Sequence, residues 1–271
     1  MQPLLYESHM HTPLCRHAQG EPEEYAAVAE QRGLAGIVVT CHNPLPDGLA
    51  RGSRMYEHQW DEYLALIERA RREWAGRVDV RLGLEADYWP GLEPFLEKQL
   101  QNAEFHHVLG SVHPHVGDYR ALFWKGDERE YQRTYFEHLA MAAESGLFDT
   151  LSHPDLIKNF TIEAWSVEEL WPDIERALDR IAATGTAMEL NTSGRNKAIP
   201  EMNPGLEILR AMRERAIPVV LGADAHVPER VAEGYEDALS TLERAGYDEI
   251  NFFLERRRQT VPIAQARASL R

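Results

Sequence analysis

The sequence predicts an α/β protein built as a parallel strand-helix barrel, and three observations carry that expectation. Short apolar segments rich in β-branched residues recur at roughly thirty- to forty-residue intervals, as buried strands do. Longer segments with helical spacing lie between them. The chain has 271 residues, 44% of them hydrophobic, with no linker or low-complexity tract, which suits one domain over 1–271 around a single large core.

The expected strands are 4–8, 36–40, 78–83, 108–111, 150–152, 187–190 and 219–222, with an eighth candidate at 250–253. Six segments with helical spacing lie between them. Glu21-Pro22-Glu23-Glu24 opens the first helix, with Pro in the first turn, acids at the positive end of the helix dipole and Gly33 as a stop. Segments 60–74 and 131–145 read as long amphipathic helices. Segment 166–183 opens with Ser166 and Glu169 in capping-box spacing, and 205–215 and 235–245 complete the alternation. No glycine-rich dinucleotide fingerprint follows the first strand and no P-loop occurs, so a barrel is favoured over an open doubly wound sheet.

Composition narrows the partners. A net charge of -15 and the lack of a long basic stripe argue against nucleic acid and suit a cation-holding site. The short run Glu255-Arg256-Arg257-Arg258 reads as solvated surface. No apolar run reaches membrane-spanning length, and the amino terminus reads as a first strand rather than a secretory signal. Two cysteines, Cys15 and Cys41, make no disulfide framework, so a reducing cytoplasm is expected. Oligomeric state has no signature here.

Twelve histidines are the informative feature. His9, His11, His17, His42, His113, His153 and His226 fall at or just after expected strand ends, the edge where barrel active sites sit. His9 and His11, two apart on a strand, point to one face and can reach one ion; Asp224-Ala225-His226 repeats the spacing. With Glu85 after the third strand, this donor set suits two or three divalent ions of zinc, iron or manganese. His58, His106, His107, His115 and His138 read as ordinary surface or core histidines.

His9-Met10-His11-Thr12-Pro13-Leu14-Cys15-Arg16-His17-Ala18 resembles the opening motif of the PHP superfamily, and more narrowly that of histidinol-phosphate phosphatases of the HisJ/HisK type. In order follow Thr40-Cys41-His42-Asn43-Pro44, Gly83-Leu84-Glu85-Ala86-Asp87, Leu109-Gly110-Ser111-Val112-His113, Ser152-His153-Pro154-Asp155, Asn191-Thr192-Ser193-Gly194 and Leu221-Gly222-Ala223-Asp224-Ala225-His226. The resemblance implies a distorted (βα)7 TIM-like barrel with up to three metals. It implies His9, His11, Glu85 and Asp224 around one ion, Glu85 bridging to a second held by His113 and His153, and His17, His42 and His226 around a third. Cys41 stands where the family usually has Asp. It reads as a small buried thiol near the site, with a soft ligand favouring zinc as the alternative.

The implied reaction is hydrolysis of L-histidinol phosphate to L-histidinol and phosphate, in histidine biosynthesis. Divalent ions would neutralise ester oxygens and lower the pKa of water, with Glu85 bridging. Asp224 or His226 would protonate the leaving alcohol. Lys158, Arg195 and Arg16 are the candidate phosphate contacts, with Arg54 behind them; Asp87 and Asp118 are candidates, by position, for the substrate's amine and imidazole. A phosphodiesterase or a phosphatase acting on a nucleotide or another small phosphorylated metabolite is the alternative. A non-catalytic domain is disfavoured by the full ligand set, and a C–N hydrolase by the lack of Lys at the mid-barrel strand ends.

Overall fold

The computed structural model describes residues 4–271; residues 1–3, part of the expected single domain, lie outside the described residues. Nine strands form one sheet in sequence order, β1 (Tyr6–Glu7), β2 (Gly36–Val39), β3 (Asp79–Asp87), β4 (His107–Ser111), β5 (Thr150–Leu151), β6 (Ala187–Asn191), β7 (Val219–Gly222), β8 (Glu249–Leu254) and β9 (Arg257–Pro262). Every pairing from β1 to β8 is parallel, and β9 returns antiparallel along β8. Parallel neighbours require crossovers, and helices supply them. They are α1 (Pro22–Gln31), α2 (Trp60–Glu73), α3 (Glu93–Leu100), α4 (Gly117–Phe123), α5 (Glu128–Glu144), α6 (Val167–Thr184), α7 (Leu206–Glu214) and α8 (Tyr235–Ala245), while α9 (Ile263–Ser269) follows β9.

The sheet is barrel-like. A parallel bridge, Met10↔Ala225, joins the chain beyond β1 to the chain beyond β7, with His11 N–H donating to the Ala225 carbonyl at 2.9 Å. A second bridge, His42↔Glu85, extends the β2–β3 pairing. Both lie at the carboxyl ends of the strands, so the chain is drawn together where the histidines sit. β2, β4, β5, β6 and β7 are wholly buried, which matches apolar runs covered on both faces.

Several elements differ from the sequence-based expectation. β3 continues four residues past the expected end, carrying Glu85 and Asp87 as strand residues. Glu255 and Arg256 are exposed as expected, and at φ 53° and 57° they form the two-residue turn of a β8–β9 hairpin that the sequence reading did not foresee. The capping box expected at Ser166 is half formed: the Ser166 hydroxyl accepts from Glu169 N–H, but the Glu169 carboxylate pairs with Arg129. The reciprocal box is found at Glu21 and Glu24.

Candidate metal centre

Short strands end abruptly at the carboxyl edge and release side chains inward. His9 and His11 follow β1, His42 follows β2, Glu85 sits near the end of β3, and His113, His153 and Asp224 follow β4, β5 and β7. Ligand atoms of His9, His11 and Asp224 lie within 4.8 Å of one another, as do those of Glu85, His113 and His153, and those of His17, His42 and His226. All nine expected ligands are thus brought together, in three groups.

Glu85 is the hub. Its Oε1 lies 3.4 Å from His9 Nε2, 3.3 Å from His113 Nε2 and 3.1 Å from His153 Nε2, while Oε2 is 3.5 Å from His11 Nε2 and 2.6 Å from His42 Nδ1. Asp224 Oδ1 is 3.1 Å from His11 Nε2. Burial alone would raise the Glu85 pKa, but the imidazoles of His42, His9 and His113 hold it well below the usual carboxylate range. Burial likewise drives the His226 ring down to about 3, leaving it neutral and fit to be a ligand. Asp224, held well below its ordinary value against burial by His9 and Lys197, is a carboxylate and not an acid.

The donor set passes a test of fit. Among the described residues, His9 Nε2, both His11 nitrogens, His42 Nδ1, Glu85 Oε2 and His226 Nε2 are buried without a hydrogen-bond partner. Unpaired buried polar atoms are costly, and so many gathered in the three ligand groups is the arrangement cations would satisfy. The opposite ring nitrogens fix the tautomers. His17 Nδ1 reaches the Cys15 carbonyl at 2.8 Å and His226 Nδ1 the Asp224 carbonyl at 3.0 Å, which leaves each Nε2 with its lone pair. His153 (φ 26°) and Asp224 (φ 50°) hold left-handed backbones, strain of the kind concentrated at functional sites.

A cavity of about 750 Å³ opens over the centre, lined among others by His17, His42, His113, His153, Asp224 and His226. Its cations differ from those expected. Lys158 is fully buried, its ammonium held by Asp155 at 2.9 Å, Glu201 at 3.1 Å and the Met202 carbonyl at 3.0 Å, so it is spent on packing. Arg195 pairs with Asp237, and Arg16 lies over the Tyr56 ring and bonds the Arg51 carbonyl; neither lines the cavity. Lys197 and Arg230 do. Lys197 Nζ is 2.5 Å from Ser193 Oγ and 3.5 Å from Asp224 Oδ2, and Arg230 carries a buried Nη2 without a partner. Arg54 also lines the cavity, but its guanidinium forks Asp87. Asp87 is not free for substrate: its Oδ1 accepts from His113 Nδ1 at 2.5 Å, which orients that ring. Asp118 lines the cavity and accepts from Ala50 N–H at 2.8 Å.

The two cysteines are free and buried. Cys41 Sγ accepts from the Thr12 hydroxyl at 3.2 Å, a small thiol packed behind the centre, whereas Cys15 is the cysteine grouped with His11 and His226. Sequence reasoning overlooked Glu189 and Lys197. Glu189 is a charged residue inside an otherwise apolar strand, a signal that was available; Lys197 sits in an irregular turn whose position only the fold reveals.

Comparison with known proteins gives the family and the fold. The model of the PHP domain matches residues 7–193. A probable histidinol-phosphatase of Deinococcus radiodurans is 41% identical over 258 residues, covering 92% of this chain and 96% of that protein. The histidinol-phosphatase of Bacillus subtilis is 24% identical, over 85% of this chain and 96% of its own length. The fold is that of the Lactococcus lactis histidinol phosphate phosphatase, solved with zinc, L-histidinol and phosphate: TM-score 0.78 at 20% identity, covering 94% of this chain and 98% of that one. By ordered motifs, fold and similarity along its length, the chain belongs to the PHP domain family.

Proposed function

We propose that this protein is a metal-dependent phosphoric monoester hydrolase acting on L-histidinol phosphate in histidine biosynthesis. The observation that carries the reading is the set of buried, unpartnered imidazole and carboxylate atoms in the three ligand groups, beneath a cavity whose wall holds Arg51, Arg54, Lys197 and Arg230. The 41% identity to a probable histidinol-phosphatase supports the substrate.

Two or three ions of zinc, iron or manganese held by the three ligand groups would supply Lewis-acid charge against the phosphoryl oxygens and acidify water. The chain's own residues do the rest. Glu85 joins the first two groups, its Oε1 facing the His9, His113 and His153 rings at 3.1–3.4 Å. Lys197 and Arg230 meet the phosphoryl oxygens from the cavity wall; an Arg donor without a partner is suited to that contact. Lys197 is also the group on that wall placed to protonate the leaving alcohol, since Asp224 is a carboxylate and the one ring proton of neutral His226 is bonded to the Asp224 carbonyl. Asp118 offers a carboxylate to the substrate's ammonium. Phe160, stacked on His115 at 4.6 Å and 16°, offers an aromatic wall to its imidazole. The two free thiols and the acidic surface suit a reducing cytoplasm and a small phosphorylated metabolite rather than nucleic acid.

The test is phosphate release from L-histidinol phosphate, a nucleoside 5′-monophosphate and a bis-aryl phosphodiester under identical metal loading. Preference for the first by two orders of magnitude or more is expected. Faster turnover of the diester would move the protein to the phosphodiesterase reading.

A further inference from the structure

The structure assigns to Glu189 the task of positioning two separate ligand groups at once. Glu189 is fully buried in the middle of β6, and it is not itself placed among the ligand groups. Its Oε1 accepts from His9 Nδ1 at 2.7 Å, and its Oε2 accepts from the His153 backbone N–H at 2.8 Å and from Asn191 Nδ2 at 3.0 Å. Among the described residues its only ion-pair partner is His9, so no Lys or Arg competes for the carboxylate.

Each contact does something different. The hydrogen bond from His9 places the ring proton on Nδ1, which leaves the Nε2 lone pair facing Glu85 at 3.4 Å and Asp224 at 3.7 Å. The bond from His153 acts on backbone instead. His153 holds φ 26°, a costly conformation for a residue with a Cβ. It is pinned by Glu189 on its N–H and by the Tyr135 hydroxyl, which donates to its carbonyl at 3.0 Å. That backbone geometry sets His153 Nε2 at 3.1 Å from Glu85. One carboxylate therefore fixes a side chain of the first group and a main chain of the second.

Gly222 is the independent sign that this approach is built in. A Cβ at Gly222 would lie 2.0 Å from Glu189 Oε1 and 2.7 Å from the His9 Cβ, so the bare Cα is what lets the carboxylate reach the ring. No Glu189 contact extends to His17, His42 or His226. The consequence is selective: losing Glu189 weakens the two ions that share Glu85 and spares the third.

This inference rests on the metal-centre reading but not on the substrate. The experiment counts ions retained per protein, by elemental analysis, after dialysis against graded chelator with Zn²⁺ or Mn²⁺ as the only metal. Wild type is compared with Glu189→Gln and Gly222→Ala, and melting of the metal-free proteins is followed in parallel. Loss of carboxylates that orient metal-bound histidines costs about 10–100-fold in affinity. Both variants are expected to release two ions at about 10–100-fold lower chelator strength while keeping the third as wild type does. Excess metal should restore kcat with KM unchanged. Wild-type retention of all ions, equal loss of all three, or a Glu189→Gln protein that does not fold metal-free would each overturn the assignment. A wild-type enzyme that binds the ions but releases no phosphate would instead strike only the substrate reading.

Discussion

At the scale of single residues, the decisive distinction is between charges that are spent and charges that are free. Lys158, chosen from sequence for its place after His153, is held by two carboxylates and a carbonyl inside the protein. Lys158→Ala would leave Asp155 buried and short of its cation, at about 3 kcal/mol. A lower chemical-denaturation midpoint with near-normal KM in the folded fraction is the expected outcome. Lys197→Ala should do the opposite. Its stability should stay close to wild type while kcat/KM falls roughly 10–100-fold, the size of one charge-assisted hydrogen bond. Steady-state kinetics on the two variants, beside their denaturation curves, separates the roles. The ligand residues were legible in sequence because their chemistry is tied to position in a strand: i and i+2 of one strand must share a face. The phosphate contacts were not, because a basic residue in a loop reveals neither its neighbours nor its burial.

At the scale of elements, buried strands announced themselves through continuous apolar runs, and seven of the expected segments carry the strands that position the centre. β9 escaped because four of its first five residues are exposed and charged or polar, so an edge strand reads as surface. Its turn is held by fold rather than by local preference, since Glu255 and Arg256 both sit at positive φ without being Asn or Gly. Glu255→Asn should therefore stabilise the hairpin by about 0.5–1 kcal/mol, seen as a rise in melting temperature, because Asn tolerates that backbone better. Arg256 is best left alone: its guanidinium pairs with Asp149 at 3.1 Å. The short helices α3, α4 and α9 were missed for want of length, each spanning about two turns.

For the whole molecule, burial of neutral histidines away from the centre sets an acid limit. Burial pushes His107 and His138 each down to about 4. In the unfolded chain they titrate near 6.5, so below that pH the unfolded state binds protons that the folded state refuses. Stability is whole above about pH 6.5 and is lost as pH falls toward 4, by up to about 3 kcal/mol for each group. Denaturant midpoints of the metal-free protein should fall across that window. His138→Gln, which keeps an acceptor for the Tyr119 hydroxyl now 2.8 Å from His138 Nδ1, should flatten the slope. An unchanged slope would mean that other groups set the limit.

The centre itself unites these scales, because eight side chains from segments far apart in sequence gather with Glu85 in three adjoining ligand groups. The measurement that tests it most directly is phosphate release from L-histidinol phosphate before chelation, after chelation, and after adding back Zn²⁺, Mn²⁺ or Fe²⁺, in wild type and in Glu85→Ala. Activity that disappears with the ions, returns with at least one of them, and never appears in a folded Glu85→Ala protein is the predicted result. Undiminished release from metal-free enzyme, or from the Glu85→Ala variant, would contradict the account.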